Sequence, residues 1–269
     1  MPAMQKIKNI VAALPEPETI DVEALQQDIS RGVIDMICVL GPTASGKTRY
    51  AVELAHRLAP AASCEIISAD SRQVYKGMDI GTGKDLEEYG SLPYHLIDIA
   101  EPGTQYNVYR FQQDFRAAYH DIRSRGAFPI LCGGTGLYIS AVTSEYNFKE
   151  RKPLSQEGAE ADIRTFFIGT LVSREVRNSR IDARLDARLQ QGMIQEIKGL
   201  LDRGIPADTL ISYGLEYKFV TLYLLGQIDY DAMREHLAIA IHQFAKRQMT
   251  WFRGMERSGI CIHWTNVNQ

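Results

Sequence analysis

Apolar residues in this chain occur in short continuous runs that alternate with longer runs of helical spacing. The first run, Met36–Leu40, ends at Gly41, and residues 49–58 then carry apolar side chains four positions apart. Short apolar runs bounded by glycine are typical of buried strands, and four-residue spacing is typical of one helix face. The pattern therefore predicts a strand, a glycine loop and a helix.

The same alternation continues through the first half of the chain. Two more apolar runs, Cys64–Ser68 and residues 128–132, end next to Asp70 and Gly133. Strands that alternate with helices form parallel sheets, whose ligands bind beyond the carboxyl ends of the strands. We therefore expect the loops at Gly41, Asp70 and Gly133 to face one crevice.

The second half of the chain has a different pattern. It predicts one strand at Thr165–Leu171, two long helical patterns over 174–202 and 229–252, and a last short strand at 260–264. We predict an α/β fold with a central parallel sheet and a helical C-terminal part. Residues 1–32 carry no recognisable chemistry and are interpreted as an N-terminal extension of a core that spans 33–269.

Composition limits the class of protein. The chain has 269 residues, of which 45% are hydrophobic and 23% charged, so it can bury a full core. No apolar run reaches the ~18 residues of a membrane helix, and we expect a cytoplasmic protein without a membrane partner. The formal net charge of −3 means that a nucleic acid would have to be bound by a local basic patch.

The four cysteines are Cys38, Cys64, Cys132 and Cys261, and all lie in apolar runs. They are widely spaced and form no CxxC pair. We interpret all four as reduced residues of the core.

A glycine-rich loop follows the first predicted strand. Residues 41–48 read GPTASGKT, which fits the phosphate-binding pattern G-x-x-x-x-G-K-[ST]. In such a loop backbone N–H groups surround phosphate oxygens, a lysine adds positive charge and a hydroxyl is suited to Mg²⁺. We predict a diphosphate or polyphosphate site in a three-layer fold like that of the P-loop NTPases. The residues assigned to it are Gly41, Pro42, Thr43, Ala44, Ser45, Gly46, Lys47 and Thr48.

Asp70 is the candidate for acid–base chemistry, because it follows the second predicted strand and should lie across the crevice from the phosphate loop. There its carboxylate could bind a metal, orient a hydroxyl or act as a base. It could equally cap the start of a helix. The phosphate loop does not define the reaction, since kinases and NTPases share it.

Five segments together are more specific than the phosphate loop alone. They are GPTASGKT at 41–48, SADSRQVYKGMDIGTGK at 68–84, HLIDI at 95–99, GGTGLYI at 133–139 and AKRQMTWFR at 245–253. In this order they resemble the tRNA dimethylallyltransferase family, which is similar in its core to the adenylate isopentenyltransferases.

The resemblance implies a channel in which dimethylallyl diphosphate enters on the side of the phosphate loop and the target adenine of tRNA enters on the other. By the matching positions, Asp70 is the general base that takes a proton from the adenine amine, and Thr43 assists at the diphosphate end. Lys47 and Thr48, with Mg²⁺ as cofactor, neutralise the departing diphosphate. The positions that match tRNA contacts in the family are Asp70, Ser71, Arg72, Gln73 and Thr135.

A stripe of arginines follows the Thr165–Leu171 strand. It consists of Arg174, Arg177, Arg180, Arg184 and Arg188, which share one broad helix face. The stripe could be a solvated, self-paired surface. The resemblance makes one of its members a diphosphate ligand, and either Arg180 or Arg184 matches that position.

Two features depart from the family pattern. The relatives that act on tRNA usually carry a helical insertion after the GGTGLY segment that helps to clamp the anticodon arm, and it is absent or vestigial here after about residue 140. Asp85 replaces a proline that is usual in the family. The open alternatives are prenylation of a free nucleotide such as AMP, a catalytically weak RNA-binding relative, and an unrelated kinase or NTPase. The tRNA enzyme, acting as a monomer, is preferred because AKRQMTWFR and SYGLEYK, at 245–253 and 212–218, resemble that branch.

Overall fold

The chain is described here from a computed structural model, which covers residues 14–143 and 163–267. The strands in these ranges are β1 (Met36–Leu40), β2 (Cys64–Ser68), β3 (Tyr94–His95), β4 (Phe128–Gly133), β5 (Thr165–Leu171) and β6 (Ile262–Asn266). The helices are α1 (Val22–Ser30), α2 (Lys47–Leu58), α3 (Val108–Ser124), α4 (Gly136–Thr143), α5 (Arg174–Gln190), α6 (Met193–Asp202), α7 (Ala207–Ser212), α8 (Leu215–Leu224) and α9 (Tyr230–Arg257).

The described strands form one parallel sheet in the order β3-β2-β4-β1-β5-β6. Successive side chains of the central strand β1 enter different cores. Met36, Cys38 and Leu40 pack with α3 and the C-terminal helices, whereas Ile37 and Val39 pack with α1 and α2. A strand buried on both faces has no polar alternation, which explains its continuous apolar run. The predicted three-layer α/β fold is confirmed.

The prediction of one long helical pattern over 174–202 is wrong. The structure divides it into α5 and α6 at Gly192, whose φ is +103°. A glycine readily adopts this left-handed conformation, which ends a right-handed helix. The pattern over 229–252 is one helix, α9, which Asp229 caps by accepting a hydrogen bond from Ala232 N–H at 2.8 Å.

The last strand lies two residues later than predicted, at Ile262–Asn266 instead of 260–264, because its pairing with β5 begins at Phe167↔Ile262. Cys261 therefore precedes the strand and is exposed. Its interpretation as a core residue is wrong. The other three cysteines are free and buried, as the sequence predicts.

The described part of the N-terminal segment packs on the sheet domain. Asp21 caps α1 by accepting a hydrogen bond from Ala24 N–H at 3.0 Å, and Leu25 is buried. Glu18 N–H donates to the carbonyl oxygen of Trp264 at 2.7 Å. The sequence predicts that the helical insertion after about residue 140 is absent or vestigial. Residues 144–162 of this region lie outside the described part of the chain. Within the described ranges, no helix has the length and apolar character needed to cross a membrane.

Candidate active site

The loops that follow β1, β2 and β4 meet at one cavity of about 1060 Å³, counting the part that is open to solvent. Lys47 from the phosphate loop, Asp70 and Gly133 all line it. The carboxyl ends of parallel strands lie at one edge of a sheet, so residues far apart in sequence come together there. The predicted common crevice is confirmed.

The phosphate loop turns into α2 through backbone conformations that place its side chains at the cavity. Gly46, the residue before the helix, has a φ of +80°, and Ala44 has a φ of +61°. Thr43, Ala44, Gly46, Lys47 and Thr48 line the cavity. The loop thus lies at the start of a helix, where backbone N–H groups favour an anion.

The other assigned members of the loop, Gly41, Pro42 and Ser45, are not among the cavity-lining residues. The hydroxyls of Ser45 and Thr170 form a buried hydrogen bond of 2.7 Å. A Cβ atom at Gly41 would lie 2.1 Å from Thr170 Oγ1. The Ser45 hydroxyl thus fastens the loop to β5, and the close approach of Thr170 explains the glycine at position 41.

Asp70 and Lys47 both line the cavity, and their opposite charges interact. Burial lowers the pKa of Lys47 from its ordinary value, whereas the nearby Asp70 carboxylate acts to raise it. The Oδ1 atom of Asp70 accepts a hydrogen bond from Arg72 N–H at 2.9 Å. Asp70 thus closes a turn rather than capping a helix, and its carboxylate lines the cavity.

The residues predicted to contact tRNA occupy two kinds of position. Ser71 N–H donates to Thr135 Oγ1 at 3.1 Å, which ties the loop after β2 to the loop after β4. Neither residue lines the cavity, whereas Asp70, Arg72 and Gln73 do. Gln73 Nε2 donates to the carbonyl oxygen of Gly83 at 3.1 Å.

Arg72 is held inside the site. Its guanidinium forms a hydrogen-bonded ion pair with the buried carboxylate of Glu216, and it lies 5.9 Å from the centre of the Phe244 ring. The side chain is only 17% exposed. Arg72 therefore forms part of the cavity wall and does not project into solvent.

The arginine stripe on α5 contributes two members to the cavity. Arg184 and Arg188 line it, whereas Arg180 does not. Arg184 Nη2 lies 3.4 Å from Asp85 Oδ2, and Arg188 Nη2 lies 3.8 Å from the same oxygen. Of the two alternatives left open by the sequence, Arg184 is the one that the structure places beside the phosphate loop.

Part of the cavity wall is apolar. Side chains from α5, α8 and α9 form it, and they are Ile181, Leu185, Leu215, Ile241 and Phe244. Charged residues and this apolar wall enclose the same space. The combination suits a ligand that joins a phosphate group to a hydrocarbon.

Sequence reasoning missed Gln248, which links two loops of the site. Its Oε1 atom accepts a hydrogen bond from Thr43 N–H, and its Nε2 atom donates to the carbonyl oxygen of Gly134, both at 2.8 Å. Gln248 is buried and continues the apolar stripe of α9 that includes Ala245 and Phe252. A polar residue at a core-facing position of a helix is the signal that could have identified it.

Oxygen atoms suited to Mg²⁺ line the cavity on Asp70, Asp85 and Glu88 as well as on Thr48. Thr48 lines the cavity, and its side chain forms a hydrogen bond with that of Cys132. Within the described ranges, no three His, Cys, Asp or Glu side chains are grouped so as to hold a metal ion. A threonine hydroxyl in a phosphate loop is an oxygen ligand of the kind that Mg²⁺ takes together with phosphate oxygens and water.

Comparison with known proteins gives consistent results. The sequence model of the IPP transferase family matches residues 73–164 and 147–255. tRNA dimethylallyltransferase 1 of Porphyromonas gingivalis is 49% identical over 287 aligned positions, which cover 86% of this chain and 94% of that protein. tRNA dimethylallyltransferase 2 of Bacteroides fragilis is 44% identical, with coverages of 87% and 93%.

Solved structures give the same match. The tRNA isopentenylpyrophosphate transferase of Bacillus halodurans superposes with a TM-score of 0.75 at 30% identity, over 86% of this chain and 89% of that one. The Staphylococcus epidermidis transferase superposes with a TM-score of 0.73 at 31% identity, over 86% and 92%. The 287 positions aligned with the P. gingivalis protein exceed this chain's 269 residues, so that relative has residues without a counterpart here.

Proposed function

The chain belongs to the IPP transferase family, and on that premise we propose that it is a tRNA dimethylallyltransferase. It transfers a dimethylallyl group from dimethylallyl diphosphate to the exocyclic N6 amine of the adenosine next to the anticodon, and it releases diphosphate. The observation that carries the proposal is the cavity itself, in which the phosphate loop, the Asp70 carboxylate and an apolar wall enclose one space.

Each part of the donor has a matching part of the cavity. Lys47 and Arg184 offer positive charge to the diphosphate, and the apolar wall, which includes Ile181 and Phe244, accepts the five-carbon chain. When the allylic carbon–oxygen bond breaks, negative charge develops on the leaving diphosphate, and preorganised cations stabilise it. Thr43, in the same loop, assists at the diphosphate end.

Asp70 accepts the proton. As the bond between N6 and the allylic carbon forms, the adenine amine must lose one proton, and we assign that proton to the carboxylate of Asp70, which lines the cavity. Because Arg72 N–H holds one of its oxygens at 2.9 Å, the carboxylate has a fixed orientation. A positioned base of this kind contributes roughly 10²–10⁴-fold to a rate.

Thr48 would hold Mg²⁺ together with oxygens of the diphosphate. When bound, the ion adds positive charge that stabilises the leaving group. On the acceptor side, the proposed tRNA-contacting residues remain Asp70, Ser71, Arg72, Gln73 and Thr135. Of these, Arg72 would contact tRNA from the cavity wall.

We place this reaction in the cytoplasm and assign it to a monomer. The side chains proposed for catalysis and diphosphate binding line one cavity of this chain. Size-exclusion chromatography with light scattering tests the monomer directly.

A second candidate is prenylation of a free adenine nucleotide. The observation in its favour is that the P. gingivalis relative contains residues for which this chain has no counterpart. A smaller protein has less surface with which to grip a large RNA, and AMP needs no such grip.

One parallel assay separates the candidates. Purified protein is incubated with labelled dimethylallyl diphosphate and Mg²⁺, together with either AMP or a tRNA that carries adenosine beside its anticodon. We expect label in tRNA and none in AMP. Label in AMP alone supports the second candidate, tRNA binding without transfer indicates a non-catalytic relative, and phosphate transfer from ATP contradicts both prenylation activities.

A further inference from the structure

Arg188 carries a polar group whose partner is missing from the described part of the protein. The residue continues the buried face of α5 formed by Ile181 and Leu185, and its side chain is 10% exposed. Its Nη2 atom is buried and makes no hydrogen bond with any described residue. Buried polar groups are almost always hydrogen-bonded, and a buried charge without a partner is costly. The position calls for an anionic ligand.

The neighbouring carboxylates do not supply that ligand. Asp85 Oδ2 lies 3.8 Å from Arg188 Nη2, and Glu216 Oε1 lies 3.9 Å from Arg188 Nη1. Both distances are too long for a hydrogen bond. Glu216 is already paired with Arg72, and Asp85 also faces Arg184. The two carboxylates are thus shared among three arginines.

Arg184 also has a buried nitrogen atom that lacks a hydrogen-bond partner among the described residues. Its Nε atom is buried without a hydrogen-bond partner among the described residues, and its Nη2 atom lies 3.4 Å from Asp85. Burial, with the nearby positive charge of Arg184, lowers the pKa of Arg188 to about 10. Glu88 is a further carboxylate near Arg184, and burial, with the nearby Asp85 charge, raises its pKa. Carboxylates thus lie near these arginines, but none of the described residues forms a hydrogen bond with Arg188 Nη2 or Arg184 Nε.

The two guanidinium groups lie against the backbone of a glycine. Gly83 has a φ of +64°, and a Cβ atom added there would lie 1.5 Å from Arg188 Nη2 and 2.2 Å from Arg184 Nη2. The loop that contains Gly83 lines the same cavity as Lys47. Both arginines therefore pack against backbone at the cavity that contains the phosphate loop.

We propose that Arg188, together with Arg184, binds oxygen atoms of the diphosphate whose other oxygens are held by the phosphate loop, and that Asp85 competes with this anion when the site is empty. A guanidinium fork matches two oxygens of one phosphate group. The inference rests on the proposed function. It adds Arg188 as a second arginine ligand of the diphosphate and Asp85 as a carboxylate that competes with the diphosphate for both arginines.

The test measures binding of inorganic diphosphate by isothermal titration calorimetry in a buffer that contains magnesium. Arg188→Met keeps an unbranched chain of similar length and removes the fork, whereas Arg188→Lys keeps the charge. Arg174→Met removes the same charge from the exposed start of the same helix and is the control. We expect affinity to fall about tenfold or more in Arg188→Met, to fall less in Arg188→Lys, and to stay unchanged in the control.

Asp85→Asn separates ligand binding from a merely structural ion pair. If Asp85 competes with the diphosphate, this variant binds diphosphate several-fold more tightly, and the gain disappears when Arg188→Met is added. If Arg188 only neutralises Asp85 and Glu216, Asp85→Asn lowers the thermal unfolding temperature and does not tighten binding. Asp85→Asn also decides the matter if Arg188→Met fails to fold.

The outcomes distinguish this inference from the proposed function. A wild-type protein that binds no diphosphate contradicts the proposed function itself. A wild-type protein that binds diphosphate, with equal affinity in Arg188→Met, contradicts only the role given to Arg188. Kinetics provide a second readout, since the KM for the prenyl diphosphate should rise in Arg188→Met while the KM for tRNA stays constant.

Discussion

Gln248 on α9 accepts a hydrogen bond from the backbone N–H of Thr43 in the phosphate loop at 2.8 Å. Its amide nitrogen donates to the carbonyl oxygen of Gly134 at the same distance. A Cβ atom at Gly134 would lie 2.4 Å from that nitrogen, so position 134 has no room for a side chain. One side chain therefore sets the separation between the loops that follow β1 and β4.

Replacement of Gln248 by methionine should weaken both the fold and the reaction. Gln248→Met leaves Thr43 N–H and the Gly134 carbonyl without these partners, and we expect a free energy of unfolding lower by roughly 1–3 kcal/mol. Displacement of the phosphate loop should reduce kcat/KM for transfer by about tenfold or more. Urea denaturation and initial rates measure the two effects.

The control for this prediction is Gln190→Met, at the exposed C-terminal end of α5. It should change neither quantity by more than about 0.5 kcal/mol. Equal stability and equal rates in Gln248→Met and wild type would show that the amide does not fix the loops.

Two glycines should respond to alanine in opposite directions. A Cβ atom at Gly169 in β5 would lie 2.3 Å from a ring carbon of Trp264, whereas one at Gly199 in α6 would meet only Arg203 Nη1 at 3.9 Å. We expect Gly169→Ala to lower the free energy of unfolding by roughly 1–3 kcal/mol. Gly199→Ala should raise it by roughly 0.5–1 kcal/mol, because alanine favours a helix. Urea titrations that rank the variants in the reverse order would refute the packing described at Trp264.

Stability should depend on pH through Glu65. Hydrogen bonds from Arg125, with a further one from His95 at 2.7 Å, lower the pKa of Glu65 below its ordinary value of 4.5, although burial opposes the shift. A carboxyl whose folded-state pKa is lowered stabilises the fold above its unfolded pKa and loses that contribution as pH falls through the folded value. Glu65→Gln should therefore be less stable than wild type at pH 7, by roughly 1–3 kcal/mol.

This difference should shrink as the pH falls below about 4.5, the ordinary pKa of the group. Urea titrations of both proteins at pH 7 and at lower pH measure it. The matched control is Glu53→Gln, which removes an exposed ion pair with Arg49 and should change stability by less than about 1 kcal/mol at either pH. A difference that grew towards low pH would reverse the assigned direction of the pKa shift.

The sequence predicts those parts of the fold whose signals are local. The runs Met36–Leu40, Cys64–Ser68 and Thr165–Leu171 are strands with those bounds in the structure. Each is buried between two layers, so its composition alone marks it. The crevice was also predictable, because parallel strands place Asp70 and the phosphate loop at one edge.

The parts that could not be predicted depend on contacts between distant residues. Gln248 is 205 positions from Thr43, and no local pattern states which loop its amide reaches. Arg188 is one member of an arginine stripe, and in the structure its burial against Gly83 distinguishes it from Arg180. In both cases the sequence shows a polar residue on the apolar face of a helix. Only the folded structure identifies the residue that Gln248 or Arg188 contacts.

The account depends most directly on Asp70 as the proton acceptor across the cavity from the phosphate loop. Asp70→Asn keeps an oxygen that can accept the hydrogen bond from Arg72 N–H but removes the base. Single-turnover transfer of the dimethylallyl group to tRNA should slow by roughly 10²–10⁴-fold in this variant, while the variant still binds inorganic diphosphate. Transfer at the wild-type rate in Asp70→Asn would contradict the account.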